Sequence, residues 1–364
     1  MDASRSLVAI DLAAVAGNVR RLIGAAGGAE VWAVVKADAY GHGAADVGRA
    51  ALAAGATRLC VATIGEARVL RAALPGASLI AFLPLGPGEE DEAVALGCAA
   101  VVSTPAGWER VRARHDLDVH VELETGMGRW GLDPELALAA GRELAAGPRP
   151  ERLQGLMSHL ATADEEDRTF VERQASAFAA VAAAFPACPR HLANSAATLR
   201  YPDLAWDAVR PGLAVCGMDP MHVDPARWGL APALRWTSTV AGVRALAAGD
   251  SCGYGRRFVA EDPCRVALVP VGYADGYARG LSGLGDVLIA GRRCRVAATV
   301  SMDQLAALLP DGLAVAEGDE VVLIGAQADE RIGAEEIAQR RGTIAYEVTC
   351  GVNAAPTRAL REAR

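Results

Sequence analysis

Nothing constrains the fold of this chain more than eight short apolar runs in its first two thirds, each followed by a helical pattern or a turn. The runs cover residues 31–36, 59–63, 78–83, 100–103, 118–124, 153–159, 190–193 and 209–216. Apolar residues at helical spacing predict helices near 44–54, 65–73, 89–97, 106–114, 134–146, 165–185 and 196–200 between them. Strict alternation of this kind is the signature of an α/β chain with a parallel sheet, and eight repeats predict a (β/α)8 barrel. A short strand, 6–10, precedes the first repeat. Asp11 then caps a helix from Leu12 to about residue 26, with Leu12, Val15, Val19, Leu22 and Ile23 on one face.

The alternation stops near Leu234. Beyond it come short strand patterns near 236–246, 264–269, 285–290, 293–300 and 320–324, one helix near 334–341, and turns such as Ala248-Gly249-Asp250 and Glu317-Gly318-Asp319. This predicts an all-β second domain. Asp224-Pro225 and Ala231-Pro232 mark the boundary. The expected division is a barrel over 11–230 and a β domain over 231–364 that includes the strand at 1–10.

Composition narrows the function classes. A length of 364 residues and an apolar share of 52% support two cored domains. A net charge of −8 and no basic cluster argue against a nucleic-acid partner. The eight cysteines are scattered without a Cys-x-x-Cys pair, which favours reduced thiols over disulfides or a metal site. Asp11 interrupts the first apolar run, and no uncharged run is long enough to span a membrane. The expectation is a cytoplasmic protein without membrane or metal.

The first predicted strand ends on a lysine, in Val34-Val35-Lys36-Ala37-Asp38-Ala39-Tyr40-Gly41-His42-Gly43. A desolvated lysine has a lowered pKa, and its neutral amine attacks carbonyls. Tyr40 is a phenol that can bond an anion, and the glycines let backbone approach a ligand. Other strand ends are also polar. Arg129 follows the fifth run in Gly126-Met127-Gly128-Arg129-Trp130-Gly131, His159 ends the sixth, Asn194-Ser195 follows the seventh, and Arg210-Pro211-Gly212 lies in the eighth. Singly, each has an ordinary structural explanation. Five on the face where barrel enzymes place their sites point jointly to one.

These segments resemble those of the alanine racemases over residues 7–350. The resemblance implies that Lys36 carries pyridoxal phosphate (PLP) covalently. It implies that Tyr40, Ser195, Tyr346 and the amides of Gly212 and Leu213 bind the phosphate. Arg210 would face the pyridine nitrogen, Arg129 would bond the cofactor's phenolic oxygen and the substrate carboxylate, and His159 would link Arg210 to a catalytic tyrosine. Ser251-Cys252-Gly253-Tyr254-Gly255-Arg256 matches the segment bearing that tyrosine, at Tyr254. Val271-Gly272-Tyr273-Ala274-Asp275-Gly276-Tyr277 and Ser301-Met302-Asp303-Gln304 resemble segments lining the substrate entrance, giving Tyr273, Met302 and Asp303 as substrate contacts. Without the resemblance, Tyr254 and Tyr273 read as turn or core aromatics. The implied activity is interconversion of L- and D-alanine by two bases, Lys36 and Tyr254, in a homodimer whose site is shared between chains. That activity would supply D-alanine for peptidoglycan.

The alternatives are a serine or broader amino acid racemase, a PLP barrel decarboxylase, a non-catalytic PLP carrier and a structural barrel. Decarboxylases of this build usually pair an acid with the pyridine nitrogen, so Arg210 speaks against them. The long segment after the barrel speaks against a carrier. Two departures from the family stand out. Where many relatives have a carbamylated lysine seven residues before the matched arginine, this chain has Glu122. Glu122 is expected to supply the anchoring charge for Arg129 directly, with a bound anion as the alternative. The C-terminal Asn353-Ala354-Ala355-Pro356-Thr357-Arg358 replaces the relatives' Arg-Val-Pro-Arg run.

Overall fold

The computed structural model describes residues 5–352 and 358–361, so the departure at 353–357 lies outside the described residues. The chain divides into two compact units, residues 13–232 and residues 1–12 with 233–364.

In the unit 13–232, eight parallel strands close into a barrel. The strand before them is β1 (Ser6–Asp11); the barrel strands are β2 (Glu30–Val34), β3 (Arg58–Val61), β4 (Leu79–Ala81), β5 (Cys98–Val102), β6 (Val119–Glu122), β7 (Leu153–Met157), β8 (Arg190–His191) and β9 (Ala208–Val209). β9 closes the ring on β2, with Val31 opposite Val209. β5 is buried along its whole length, as a strand covered on both faces must be. The helices are α1 (Leu12–Ala25), α2 (Lys36–Gly41), α3 (Ala44–Ala53), α4 (Ile64–Ala73), α5 (Glu89–Leu96), α6 (Pro105–Val111), α7 (Pro134–Ala146), α8 (Thr169–Ala184) and α9 (Ser195–Arg200). Several starts follow from local chemistry. Thr63 and Glu66 form a reciprocal cap on α4. Asp133 accepts from Leu136 N–H at the start of α7, with Pro134 in the first turn.

The other unit is mostly antiparallel. Its strands are β10 (Leu234–Thr239), β11 (Gly242–Leu246), β12 (Ser251–Cys252), β13 (Phe258–Val259), β14 (Cys264–Val269), β15 (Asp286–Ile289), β16 (Arg292–Arg295), β17 (Leu305–Leu309), β18 (Glu320–Gln327), β19 (Glu330–Ile332) and β20 (Arg358–Arg361). Among the described residues a seven-stranded sheet runs β16-β15-β18-β10-β1-β20, with β19 on β18. β11-β14-β17 and β12-β13 form smaller sheets. β1 pairs antiparallel with β10, Val8 opposite Trp236, so the first strand of the chain belongs to this unit.

Three sequence expectations need correcting. The run at 209–216 is a strand only at its start. Pro211 cannot donate to a ladder, and Leu213–Cys216 winds into a 3-10 turn. The strand expected near 293–300 ends at Arg295, and residues 305–309, for which the sequence carried no expectation, pair with β14 as a strand. The strand expected to reach Lys36 stops at Val34. No described helix is long and apolar enough to cross a membrane.

Candidate active site

The barrel's polar groups gather where its strands end. After β2 the chain enters a left-handed turn, with Ala37, Asp38, Ala39 and Tyr40 at φ between 50° and 55°. Four consecutive non-glycine residues in this region cost about 1–2 kcal/mol each. Ala37 N–H donates to Glu66 Oε1 at 2.8 Å and Asp38 Oδ1 accepts from Ala44 N–H at 2.7 Å, so neighbouring helices hold the turn. Its effect is to leave Lys36 half-buried and return Tyr40, which is buried, toward the end of β9. A Cβ at Gly212 would lie 2.1 Å from Tyr40 Oη. Only glycine permits that approach. Ser195, buried at the start of α9, accepts from Gly212 N–H at 2.9 Å and Ala214 N–H at 3.3 Å. Tyr40, Ser195 and Gly212 therefore form one cluster. The Gly212 amide, expected to meet a phosphate, donates to Ser195 Oγ in this structure. Leu213 is fully buried beside it.

Arg210 follows β9 directly and is buried. Its Nη1 donates to His191 Nδ1 at 2.8 Å and to His191 O at 2.6 Å, and its Nη2 donates to Ser158 O at 2.7 Å. None of these bonds uses Nε, which leaves that donor for an incoming acceptor. Burial pushes the Arg210 pKa down to about 10, which still leaves it protonated at neutral pH. Because arginine only donates, His191 Nδ1 must accept, and the His191 proton sits on Nε2. His191 Nε2 lies 3.0 Å from His120 Nδ1, so His120 accepts there and carries its own proton on Nε2, an atom with no hydrogen-bond partner. Burial holds both imidazoles neutral, His120 down to about 3 and His191 well below its usual value. Trp32 packs on both rings at 4.5 and 5.6 Å, and a Cβ at Gly155 would lie 2.5 Å from His120 Nδ1.

Sequence reasoning missed His120 and His191. The available signal was a polar side chain inside an otherwise apolar strand, two residues from Glu122 and hence on the same face.

His159, two residues past β7, is half-buried, and burial with the charges of Arg210, Arg129 and Lys36 holds it down to about 3. Arg129 is exposed on the loop after β6. That loop is tight. Glu124 accepts from Gly126 N–H and from Gly128 N–H at 2.9 Å, and a Cβ at Gly131 would meet the Glu124 backbone at 2.4 Å. Glu122 is buried, and burial pushes its carboxyl up to about 7 against the opposing charges of Arg210 and Arg129. Among the described residues no ion pair joins Glu122 to Arg129. The direct anchor expected from the sequence is therefore not made here.

In the other unit, backbone bonds bring the expected substrate segments together. Tyr273 N–H donates to Ser301 O at 3.1 Å and Ala274 N–H to Met302 O at 3.0 Å. Gly272 has to be glycine, since a Cβ would meet Ser301 O at 2.2 Å. Thr299 Oγ1 donates to Tyr254 O at 3.0 Å, which ties the Tyr254 turn to the same loop. Tyr254, Tyr273 and Met302 are exposed, Tyr254 at 74%. Asp303 is exposed and lies 3.8 Å from Arg5. Tyr277 differs: it is a core residue whose hydroxyl donates to Asp286 O at 3.3 Å. Tyr346 is half-buried on a helix, α11 (Ala345–Gly351), that follows α10 (Ala334–Arg341).

A lysine, two arginines, a histidine and a hydroxyl pair thus stand at the carboxyl rim of a parallel barrel, where enzymes of this architecture carry their sites. Family models make the assignment particular. The alanine racemase N-terminal domain matches residues 10–220 and the C-terminal domain residues 233–360. The chain belongs to the alanine racemase family. It is 41% identical over 355 residues to the alanine racemase of Symbiobacterium thermophilum, covering 94% of each chain. It is 40% identical to that of Mycobacterium leprae, covering 98% of this chain and 95% of the other. Among solved structures it resembles the alanine racemase of a D-cycloserine-producing Streptomyces lavendulae with TM-score 0.91 and 37% identity, covering 99% of this chain and 98% of that one. The Bartonella henselae alanine racemase with covalently bound pyridoxal phosphate matches at TM-score 0.88 and 28% identity, covering 98% of this chain and all of that one.

Proposed function

We propose that this chain interconverts L- and D-alanine with PLP attached to Lys36, and that Lys36 and Tyr254 serve as bases on opposite faces of the substrate's Cα. The residues fit the cofactor on two observations. Tyr40, Ser195 and Gly212 make a compact hydroxyl and backbone cradle that a single added Cβ would fill. Arg210 keeps one guanidinium donor outside its bonds to His191 and Ser158.

When bound, PLP acidifies the substrate Cα–H by drawing its electrons into the ring. The protein's part is positioning, charge and proton transfer. Arg210 offers the ring nitrogen a hydrogen bond without surrendering a proton, because a guanidinium with a pKa near 10 stays charged. This limits electron withdrawal and disfavours side reactions. Arg129 binds the substrate carboxylate, for which its planar fork is suited. Tyr40, Ser195, Tyr346 and the backbone at Gly212 and Leu213 take the phosphate. His159, neutral at working pH, is taken to hydrogen-bond Tyr254, with Arg210 acting on it through its charge, since the Arg210 Nη donors go to His191, Ser158 and Leu192. Tyr273, Met302 and Asp303 narrow the approach to the site.

Tyr254 is taken to come from a second copy of the chain, so the working form is a homodimer. Its place is the cytoplasm, where alanine and PLP are at hand. The observation that carries this reading is the joint placement of Lys36, His159, Ser195 and Arg210 at the ends of four barrel strands. The test is reduction of the purified protein with borohydride, followed by peptide mapping. Pyridoxyl label on Lys36, with racemase activity on alanine lost on reduction, supports it. Label elsewhere, or none, contradicts it.

A further inference from the structure

We propose that Gln174 is a positioning residue for the reaction: it braces the loop that carries Arg129 against the strand end that carries His159. The inference rests on the roles given above to those two residues and extends them to a helix, α8, that touches neither substrate nor cofactor. Gln174 is completely buried on α8. A buried amide is costly unless its donors and acceptor are matched, and here they are. Its Oε1 accepts from Ala161 N–H at 2.9 Å. Its Nε2 donates to His159 O at 2.9 Å and to Thr125 Oγ1 at 3.2 Å. The orientation is unambiguous, because the flipped amide would set N–H against the Ala161 N–H and oxygen against the His159 carbonyl.

One side chain thus joins two catalytic loops at their roots. Thr125 is the first residue past Glu124 on the Arg129 loop, and its hydroxyl lies 2.7 Å from Ser158 Oγ. Ser158 O in turn accepts from Arg210. Phe170, one turn earlier on α8, lies under Gly126, where a Cβ would come within 2.9 Å of the ring. The loop therefore rests on the face of α8 and is pinned at Thr125 by Gln174. Beyond that point Glu124 holds Gly126 and Gly128, one residue short of Arg129. Arg129 is exposed and long, so its aim depends on where this short, closed loop is rooted. A displacement of 1 Å in such a group can cost about 10²-fold.

The chemistry also explains why the residue is an amide. The pocket presents one N–H and one carbonyl on either side of Leu160, plus a hydroxyl. Glutamine satisfies all three at every pH. An ionised glutamate has no donor and would face the His159 carbonyl. A protonated one can still donate to it.

The test uses purified holoenzyme and the variants Gln174→Met, Gln174→Glu and Arg129→Lys, with the Gln174→Met/Arg129→Lys pair. In Gln174→Met, the amides of Gly126 and Gly128 should exchange with deuterium at least tenfold faster, with the β-domain amides unchanged. KM for alanine should rise roughly tenfold to hundredfold, and most of that rise should vanish in the Arg129→Lys background. Gln174→Glu should approach wild-type kcat/KM at the acid end of the profile and lose it as pH rises, a limb absent from wild type. Unchanged exchange at Gly126 and Gly128 would overturn the inference and leave the proposed function standing. Faster exchange with KM unchanged, or Gln174→Met and Arg129→Lys effects that simply multiply, would also overturn it. If Arg129→Lys alone leaves KM unaltered, the carboxylate role of Arg129 itself is wrong, whatever the exchange shows.

Discussion

The carboxyl rim of the barrel and the loop cluster around Tyr254 supply different kinds of group. On the rim, Arg210, His191, His120 and Ser195 are buried, fully bonded on at least one side, and shifted in pKa where they titrate. In the cluster, Tyr254, Tyr273 and Met302 stand exposed on turns fixed by backbone bonds. The rim is preorganised by the barrel's own packing, since strands 4.7–4.9 Å apart impose fixed spacings on groups at their ends. The loop cluster has a backbone fixed by hydrogen bonds and side chains left uncovered.

The largest expected break of this comparison is at the rim's amine. Lys36→Ala should abolish racemisation, and mixing it with an inactive Tyr254→Ala protein should restore part of the activity through heterodimers that carry one intact site. No recovery after verified subunit exchange would place both groups in one chain's site. Next in size is Gly212→Ala. A Cβ there meets Tyr40 Oη at 2.1 Å and Cζ at 2.7 Å, so either the left-handed turn or β9 must move. Overpacking of this kind costs about 1–3 kcal/mol, and PLP retention measured by absorbance after gel filtration should fall with it. A Gly272→Ala change should lower stability similarly but leave PLP bound. Equal cofactor loss in both would erase the distinction between the two regions.

A third effect is pH dependence of stability. His120, His159 and His191 have folded pKa values below that of an unfolded histidine, so at each of them the unfolded chain binds more protons below about pH 6.5, while Glu122, raised to about 7, acts in the opposite sense. Three histidines outweigh one carboxyl, so stability falls as pH drops below about 6.5, by roughly 1 kcal/mol per pH unit for each histidine less a similar amount for Glu122. Denaturant titrations from pH 7 to 5 should show this slope, and His120→Asn should reduce it by one histidine's share. The smallest effect concerns Glu122. With its carboxyl held up at about 7 beside Arg129 and Arg210, Glu122→Gln should remove a shift of up to about threefold in KM centred near neutral pH. An identical KM profile in the variant returns Glu122 to a purely structural role.

Much of the barrel was legible because buried parallel strands are short apolar runs and because turn residues punctuate them. Lys36, Arg129, His159 and Ser195 could be singled out as polar residues ending such runs. Tyr254 was recognisable only through resemblance, since an exposed tyrosine on a glycine turn has no periodic signature. The left-handed turn at 37–40 left no sign either: alanine and aspartate there give no hint of positive φ, which is held by the bonds of Ala37 N–H to Glu66 and of Ala44 N–H to Asp38. The histidine pair on β6 and β8 stayed hidden because its partners are far apart in sequence. Gln174 carries no sequence signal that sets it apart from other polar residues in a helix.

On the function proposed above, Lys36 and Tyr254 act on opposite faces of one carbon. The most direct test of this assignment is Cα proton exchange by Tyr254→Phe in D2O, starting separately from L- and D-alanine and read by NMR. Exchange into one enantiomer should fall by about 10²–10⁴-fold while exchange into the other persists through Lys36. Exchange retained at wild-type rate in both enantiomers would contradict it.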